Sequence, residues 1–271
     1  MTDRYGVIGH PIGHSKSPVI HRLFAEQTGE DISYEAFDVA PGELAARLGD
    51  LAAAGLRGLN VTVPHKEAVA RLADQLTDRA HLAGAANTLI IASDGHLDAD
   101  NTDGVGLLTD LTTNLGVALK GARILILGAG GATRGILPVL LGSGPAELCI
   151  ANRTVERARE VATHFERLGT IAACHFEELP AAPWDLVINA TAAGLKGGVP
   201  PVPEAVIGPD TACYDLSYAM AGTPFVGWAR RLGARRAWQG WGMLVEQAAE
   251  SFFIWRGVRP DTRPVREKLP A

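Results

Sequence analysis

The stretch Arg123-Ile-Leu-Ile-Leu-Gly128-Ala-Gly-Gly-Ala-Thr-Arg-Gly135 decides how this chain is read. A short apolar run breaks into a glycine cluster, and an apolar, helix-like segment follows to Leu141. A second strand-like run, Glu147-Leu-Cys-Ile-Ala151, ends at Asn152-Arg153-Thr154. Strand, glycine turn, helix and strand make a nucleotide-binding βαβ unit. Glycines allow the tight turn and let backbone N–H groups come close to a pyrophosphate. The helix that follows turns its positive dipole end to that anion. Thr133 stands where the usual fingerprint has its third glycine, so the loop reads GxGGxxxG.

The end of the second strand speaks for the cofactor. An NAD site carries Asp or Glu about 20 residues beyond the glycines, on the ribose hydroxyls. Here that place holds Asn152, Arg153 and Thr154, with Arg157 a few residues on. Two guanidiniums and a hydroxyl suit an extra dianionic phosphate. This predicts NADP rather than NAD. The alternative is an exposed basic helix start, an arrangement the helix dipole disfavours.

At 271 residues the chain is long enough for two domains. A formal net charge of −5 leaves no nucleic-acid footprint. No apolar run is long enough to span a bilayer, and Met-Thr-Asp-Arg-Tyr at the start does not read as a signal peptide. Cys149 and Cys213 lie in apolar runs and Cys174 stands alone, without CxxC spacing, which fits buried thiols in a reducing cytoplasm. The eight histidines form no ligand array, so no metal is predicted.

Working outward, the pattern predicts a strand over 5–9 and then a helix with Ser17 as its cap and Pro18 at its first position. Hydroxyls at Ser15 and Ser17 beside free helix N–H groups would also suit a carboxylate. Ser17 is thus a plain cap or part of an anion site. A strand over 33–39, a helix over 42–54 and a strand over 57–63 come next, closing on Asn60-Val-Thr-Val-Pro-His-Lys66. Strands alternating with helices imply a mainly parallel sheet, and ligands bind beyond the carboxyl ends of such strands. Thr62 and Lys66 sit at such an end. A lysine in a helix's first turn opposes the dipole. It is either a solvated side chain or a functional one. A helix is expected over 74–84, a strand over 87–91 and a turn at Asp94-Gly95. Asp103, in Asn101-Thr-Asp-Gly104, either caps a helix over 105–115 or serves chemistry.

Beyond the second strand, the expectation is a helix over 155–168, then a strand over 184–189 running into Ala190-Thr191. A surface loop over 197–209, a strand over 211–216 and a helix over 223–232 follow. Gly240-Trp-Gly242 opens an amphipathic helix over 243–255 that carries Gln247, and a proline- and arginine-rich tail closes the chain.

These motifs, in this order, resemble the shikimate dehydrogenases along nearly the whole chain. The carrying residues are His14-Ser-Lys-Ser-Pro18, Asn60-Val-Thr-Val-Pro-His-Lys66, Gly84-Ala-Ala-Asn-Thr88 and Asp100-Asn-Thr-Asp-Gly104. Gly128-Ala-Gly-Gly-Ala132, Asn152-Arg-Thr154, Asn189-Ala-Thr191 and Gly242-Met-Leu244 complete the set. The resemblance implies a two-domain α/β fold, with a substrate domain of mainly parallel sheet over 1–104 and 240–271. A Rossmann-type NADP-binding domain over 105–239 is inserted, and the C-terminal helix returns to the first domain. It implies reversible reduction of 3-dehydroshikimate to shikimate by NADPH, on the path to chorismate and aromatic amino acids. The protein would be cytoplasmic, and a monomer or a homodimer.

The resemblance also assigns residues. Lys66 and Asp103 would be the catalytic pair and would touch substrate. Ser15 and Ser17 would bind the substrate carboxylate, with Thr62, Asn87, Tyr218 and Gln247 holding the carboxylate and ring hydroxyls. Gly128, Ala129, Gly130, Gly131, Ala132, Asn152, Arg153, Thr154, Arg157 and Thr191 would hold the cofactor. Leu216 and Gly240 would lie near the nicotinamide, and Asp78 takes a position where relatives often carry Glu. The chain departs from the family at His65, where an aromatic is common, at Trp241, where an aliphatic is common, and at Ala192, where Ser or Pro is usual.

Three other readings compete. A quinate/shikimate dehydrogenase would take a broader substrate or NAD, but Asn152-Arg153 replaces the acidic residue it commonly carries. A non-catalytic metabolite-sensing paralogue would keep the fold without the chemistry, but Lys66 and Asp103 are both present. A folate- or amino-acid-type dehydrogenase would not need the Ser15/Ser17 pair with Asn87, Asp103 and Gln247.

Overall fold

The computed structural model describes residues 2–269, and of Leu195 and Lys196 only the backbone. Residues 1, 270 and 271 of the expected substrate domain lie outside the described residues. The chain divides into two compact units, one running to Leu107 and taking in Leu244–Leu269, the other Leu108–Met243.

The first unit begins with β1 (Asp3–Gly9), α1 (Ser17–Thr28), β2 (Ile32–Asp38), α2 (Leu44–Ala53) and β3 (Leu56–Val61). After them come α3 (Lys66–Leu72), β4 (Gln75–Leu76), α4 (Asp78–Ala83), β5 (Thr88–Ile91), β6 (Leu97–Asp100) and α5 (Asp103–Thr109). The sheet order is β2-β1-β3-β5-β6-β4. β1 pairs parallel with β2 and β3, whereas β5 runs antiparallel to β3 and β6. The turn at Asp94-Gly95 accounts for the β5–β6 pairing. Gly95 takes φ +88°, and a two-strand hairpin cannot be parallel. Leu48, Leu51, Leu59, Val61, Val69 and Leu89 are among the residues of the core under this sheet.

Several expectations for this unit need correction. Ser17 does not cap α1: it is the first helical residue, and its own N–H bonds Ser15 Oγ at 3.3 Å. The helix expected over 74–84 is a two-residue strand and then α4, because Thr77 caps α4 by accepting from Ala80 N at 3.3 Å. The helix over 42–54 is a single tight turn at Pro41–Glu43 that leads into α2. The helix expected over 105–115 starts at Asp103 and widens to a looser turn over Asp110–Asn114.

The second unit is built from β7 (Arg123–Leu127), α6 (Gly131–Gly142), β8 (Glu147–Ala151), α7 (Val155–His164), β9 (Ala172–Cys174) and β10 (Leu186–Asn189). It continues with β11 (Ala212–Asp215), α8 (Pro224–Arg231) and β12 (Arg236–Gln239). The order β12-β11-β10-β7-β8-β9 is parallel throughout. Counted within the unit this is 6-5-4-1-2-3, the doubly wound order of dinucleotide-binding sheets. Buried on both faces, β7 reads as an unbroken Ile-Leu-Ile-Leu run. The helix expected over 155–168 ends at His164, and the loop over 197–209 contains a short turn at Glu204–Val206 with Val206 fully buried.

The chain closes with α9 (Trp241–Arg256) and α10 (Arg263–Lys268). From Leu244 on, α9 belongs to the first unit. There Val245, Ala248, Ala249 and Phe252 pack with Ile20 and Phe24 of α1. The expected proline- and arginine-rich tail is ordered as α10, whose Val265 is buried in the same cluster. Gly58 makes room for α9, since a Cβ there would lie 2.5 Å from Trp255 Nε1.

Candidate active site

Strand pairing puts the motifs of the first unit on one edge of its sheet. Ile8 of β1 registers with Val61 of β3, Asn60 with Thr88 of β5, and Thr88 with Asp100 of β6. The carboxyl ends of β1, β3 and β6 therefore share an edge with the amino end of β5. Ser15 and Ser17, Thr62 and Lys66, Asn87, and Asn101 to Asp103 all leave from that edge.

Four of the expected residues meet directly. Lys66 Nζ donates to Asp103 Oδ2, with side chains 13% and 5% exposed. Asn87 Nδ2 lies 2.9 Å from Asp103 Oδ1 and 3.1 Å from Gln247 Oε1. Gln247 Nε2 in turn donates to Leu244 O at 2.8 Å. Asp103 caps no backbone N–H among the described residues: it is itself the first helical residue, and its own N–H goes to Asn101 Oδ1 at 3.1 Å. Both carboxylate oxygens are thus free to accept from Lys66 and Asn87. Lys66 opens α3 against its dipole, as its position in the sequence implied. The carboxylate offsets that cost.

Behind this group runs a buried polar chain that the sequence reading did not single out. Asn60 Nδ2 donates to Ser251 Oγ at 2.9 Å, and Thr88 Oγ1 lies 2.7 Å from Ser251 Oγ and 2.9 Å from Asn87 Oδ1. Asn60 Oδ1 accepts from Tyr34 OH at 2.7 Å and from His21 Nε2 at 3.0 Å. The signal was present in part, since Ser251 lies four residues beyond Gln247 on the same helix face. His21 stacks on Tyr34 with centroids 4.2 Å apart. Burial lowers its pKa to about 3, although the Asn60 bond acts the other way. The departure at His65 also has a cause, for its ring donates from Nε2 to Val39 O at 2.7 Å.

Ser15, Ser17 and Thr62 stand on the shared edge, but no hydrogen bond among the described residues ties them to the lysine group. Ser17 is buried, and Ser15 and Thr62 are half-buried. Tyr218 belongs to the second unit, where its ring lies against Trp241 with centroids 4.4 Å apart. Asp78 lies in the first unit, exposed in the first turn of α4.

The glycine turn of the second unit fits a dinucleotide. Gly128 has φ +106°, and a Cβ on it would sit 3.0 Å from Ala190 O. Both facts demand glycine there. After Ala129, Gly130 precedes α6 in extended conformation, while Gly131 and Ala132 form its first turn, with N–H groups free of intrahelical partners. Thr133 closes the turn from within, its hydroxyl donating to Gly128 O at 2.8 Å. At the end of β8, Asn152 Nδ2 donates to Thr154 O at 2.8 Å. Arg153 and Arg157 are exposed, and neither forms an ion pair among the described residues. Two unneutralised guanidiniums at this strand end match a phosphate and not a ribose diol. Thr191 Oγ1 donates to Asn189 Oδ1 at 2.7 Å, and Gly240 N donates to Ser217 O at 3.0 Å beside Leu216. Among the described residues no helix is long and apolar enough to cross a membrane.

A doubly wound sheet with such a turn, in a chain that also buries a lysine–carboxylate pair, is the make-up of a nucleotide-dependent dehydrogenase. Comparison with known proteins narrows the class. The model for the shikimate dehydrogenase substrate binding domain matches residues 7–89, and that for shikimate / quinate 5-dehydrogenase matches 110–196. The shikimate 5'-dehydrogenase C-terminal domain matches 240–269. A shikimate dehydrogenase (NADP(+)) of Methylococcus capsulatus is 53% identical over 269 residues, covering 99% of this chain and 96% of its own. Among solved structures, an Ael1 enzyme from Pseudomonas putida aligns with TM-score 0.88 at 44% identity, over 100% of this chain and 99% of that one. Shikimate 5-dehydrogenase from Thermus thermophilus, in complex with NADP(H) and shikimate, aligns with TM-score 0.85 at 34% identity over 98% of each chain. The chain belongs to the shikimate dehydrogenase family.

Proposed function

We propose that this protein is an NADP-dependent shikimate dehydrogenase that interconverts 3-dehydroshikimate and shikimate. The observation that carries the reading is the Lys66–Asp103 pair, joined through Asn87 to Gln247. Bound NADPH supplies the hydride. What remains is a proton, because hydride addition to a ketone leaves an alkoxide and removal from an alcohol needs a base. Lys66 Nζ gives that proton in reduction and takes it back in oxidation. Asp103 Oδ2 orients the amine. Asn87 and Gln247, fixed by the polar chain behind them, hold ring hydroxyls at set positions. Ser15, Ser17, Thr62 and Tyr218 are assigned to the remaining hydroxyl and carboxylate contacts.

In this reading the first unit binds substrate and the second binds NADP. Gly128 to Ala132 cradle the pyrophosphate, and Asn152, Arg153, Thr154 and Arg157 take the additional phosphate. Thr191, Leu216 and Gly240 serve the nicotinamide half, and Asp78, in the first turn of α4, is assigned a further cofactor contact. Three free cysteines suit a reducing compartment, and we place the enzyme in the cytoplasm. Light scattering decides between monomer and homodimer.

The test is a matrix of initial rates with shikimate and quinate, each with NADP and NAD. The highest kcat/KM is expected for shikimate with NADP, and a higher value for quinate with NAD would overturn the assignment. In the same assay Lys66→Ala loses about a hundred-fold or more in kcat while calorimetry still shows shikimate binding. Retained turnover in that variant would remove Lys66 from the proton step.

A further inference from the structure

Trp241 opens α9 and is only 7% exposed, yet its indole Nε1 has no hydrogen-bond partner among the described residues. A buried indole N–H is normally paired. Packing, and not a polar anchor, therefore sets the position of this ring. The ring packs on Tyr218, with centroids 4.4 Å apart and planes inclined at 39°.

The backbone prepares that contact from both sides. Gly240 N donates to Ser217 O at 3.0 Å, and Ala219 N donates to Gln239 Oε1 at 2.8 Å. The residues flanking Tyr218 are thus pinned to the segment that enters α9. The glycines flanking Trp241 are pressed against their surroundings. A Cβ at Gly240 would lie 2.5 Å from Leu216 O, and one at Gly242 would overlap Asp110 Oδ1. The register of Trp241 is fixed by these approaches. Tyr218 itself lies in the irregular segment between β11 and α8, and Met220, two residues on, is 68% exposed.

We propose that Trp241 is a positioning residue: its indole holds the Tyr218 ring in the orientation that meets substrate, and so sets the affinity for shikimate. The inference rests on the reading that Tyr218 contacts substrate. A loop tyrosine must lose rotamer freedom when it binds, and a ring already stacked on a fixed partner has lost it beforehand.

The test compares Trp241→Leu, Trp241→Phe and Tyr218→Ala by calorimetric Kd for shikimate together with KM and kcat for both substrates. Trp241→Leu should raise the Kd and KM for shikimate roughly two- to ten-fold, the span of one aromatic pair. The kcat and the KM for NADP should change little, as expected for loss of uniform binding. Trp241→Phe keeps a ring without the N–H and should restore wild-type values. In a Tyr218→Ala background, Trp241→Leu should have no further effect. An unchanged Kd in Trp241→Leu, or a Trp241→Phe variant as weak as Trp241→Leu, overturns the inference. If Tyr218→Ala itself leaves the shikimate Kd unchanged, the reading of Tyr218 fails, and Trp241 does not act through it.

Discussion

Asn101 and Asp103 divide the duties at one helix start. An aspartate at a helix start normally accepts from the backbone there, and Asp103 stands at such a start. Here Asn101 accepts the Asp103 N–H, and Asp103 turns both oxygens to Lys66 and Asn87 instead. Two other buried groups make stability depend on pH, in opposite directions. His21 is lowered to about 3 by burial, against 6.5 for an ordinary histidine. Between those values the unfolded chain binds the proton and the native one does not, so stability is lost as pH falls through that window. Asp215 is raised from 3.8 to about 6 by burial, in spite of hydrogen bonds from Thr223, Ser217 and Asn189. Here the native state holds the proton longer, so stability is lost as pH rises from 3.8 to about 6. Each group contributes a slope of about 1.4 kcal/mol per pH unit inside its window. Urea unfolding from pH 4 to 7 should show His21→Phe less acid-sensitive than the wild type. Asp215→Asn should lose the opposing slope and become more acid-sensitive. Parallel profiles for wild type and both variants would show that neither group is linked to folding.

Among the elements, α9 is the most tightly specified at its start. Asp110 accepts from Tyr214 OH at 2.6 Å and from Asn114 Nδ2 at 2.9 Å, and its carboxylate fills the space where a Gly242 side chain would go. Gly242→Ala should therefore destabilise the protein by about 1–3 kcal/mol through overpacking. Adding Asp110→Ala should recover part of the loss in thermal melts, although Tyr214 then loses its acceptor. A Gly242→Ala protein that melts like the wild type would mean that the carboxylate moves aside freely. How legible each element was follows from what holds it. Strands β7 and β8 were plain because burial on both faces demands apolar runs. The edge strands β9 and β12 were not, since Ala172–Cys174 and Arg236–Gln239 are held by backbone pairing with one neighbour, which leaves no pattern. Likewise α4 begins only at Thr77, whose capping role depends on a hydroxyl geometry that spacing does not encode. Ser17 failed as a cap because the helix begins one residue earlier than the spacing suggests, with Lys16 at the cap position and Ser17 already helical.

For the whole molecule, the site was legible as a set of motifs and not as an arrangement. Lys66, Asn87 and Asp103 come from one stretch of chain, and their convergence follows once β5 is known to reverse direction. Gln247 and Ser251 reach them only because the chain returns, and no local signal marks Asn60 as their partner. That return has a consequence for how the protein is made. The second unit is continuous from Leu108 to Met243, whereas the first needs Leu244–Leu269 to cover Gly58 and pair Asn60 and Asn87. At ribosomal speeds of about 5–20 residues per second, the intervening chain takes roughly seven to twenty-seven seconds to emerge. The N-terminal sheet, though made first, stays open for that time, and the unit made second closes first. Proteolysis of ribosome-bound chains with residue 243 just outside the exit tunnel should spare the second unit and cut the first. Equal protection of both would mean that the N-terminal sheet closes without its helix.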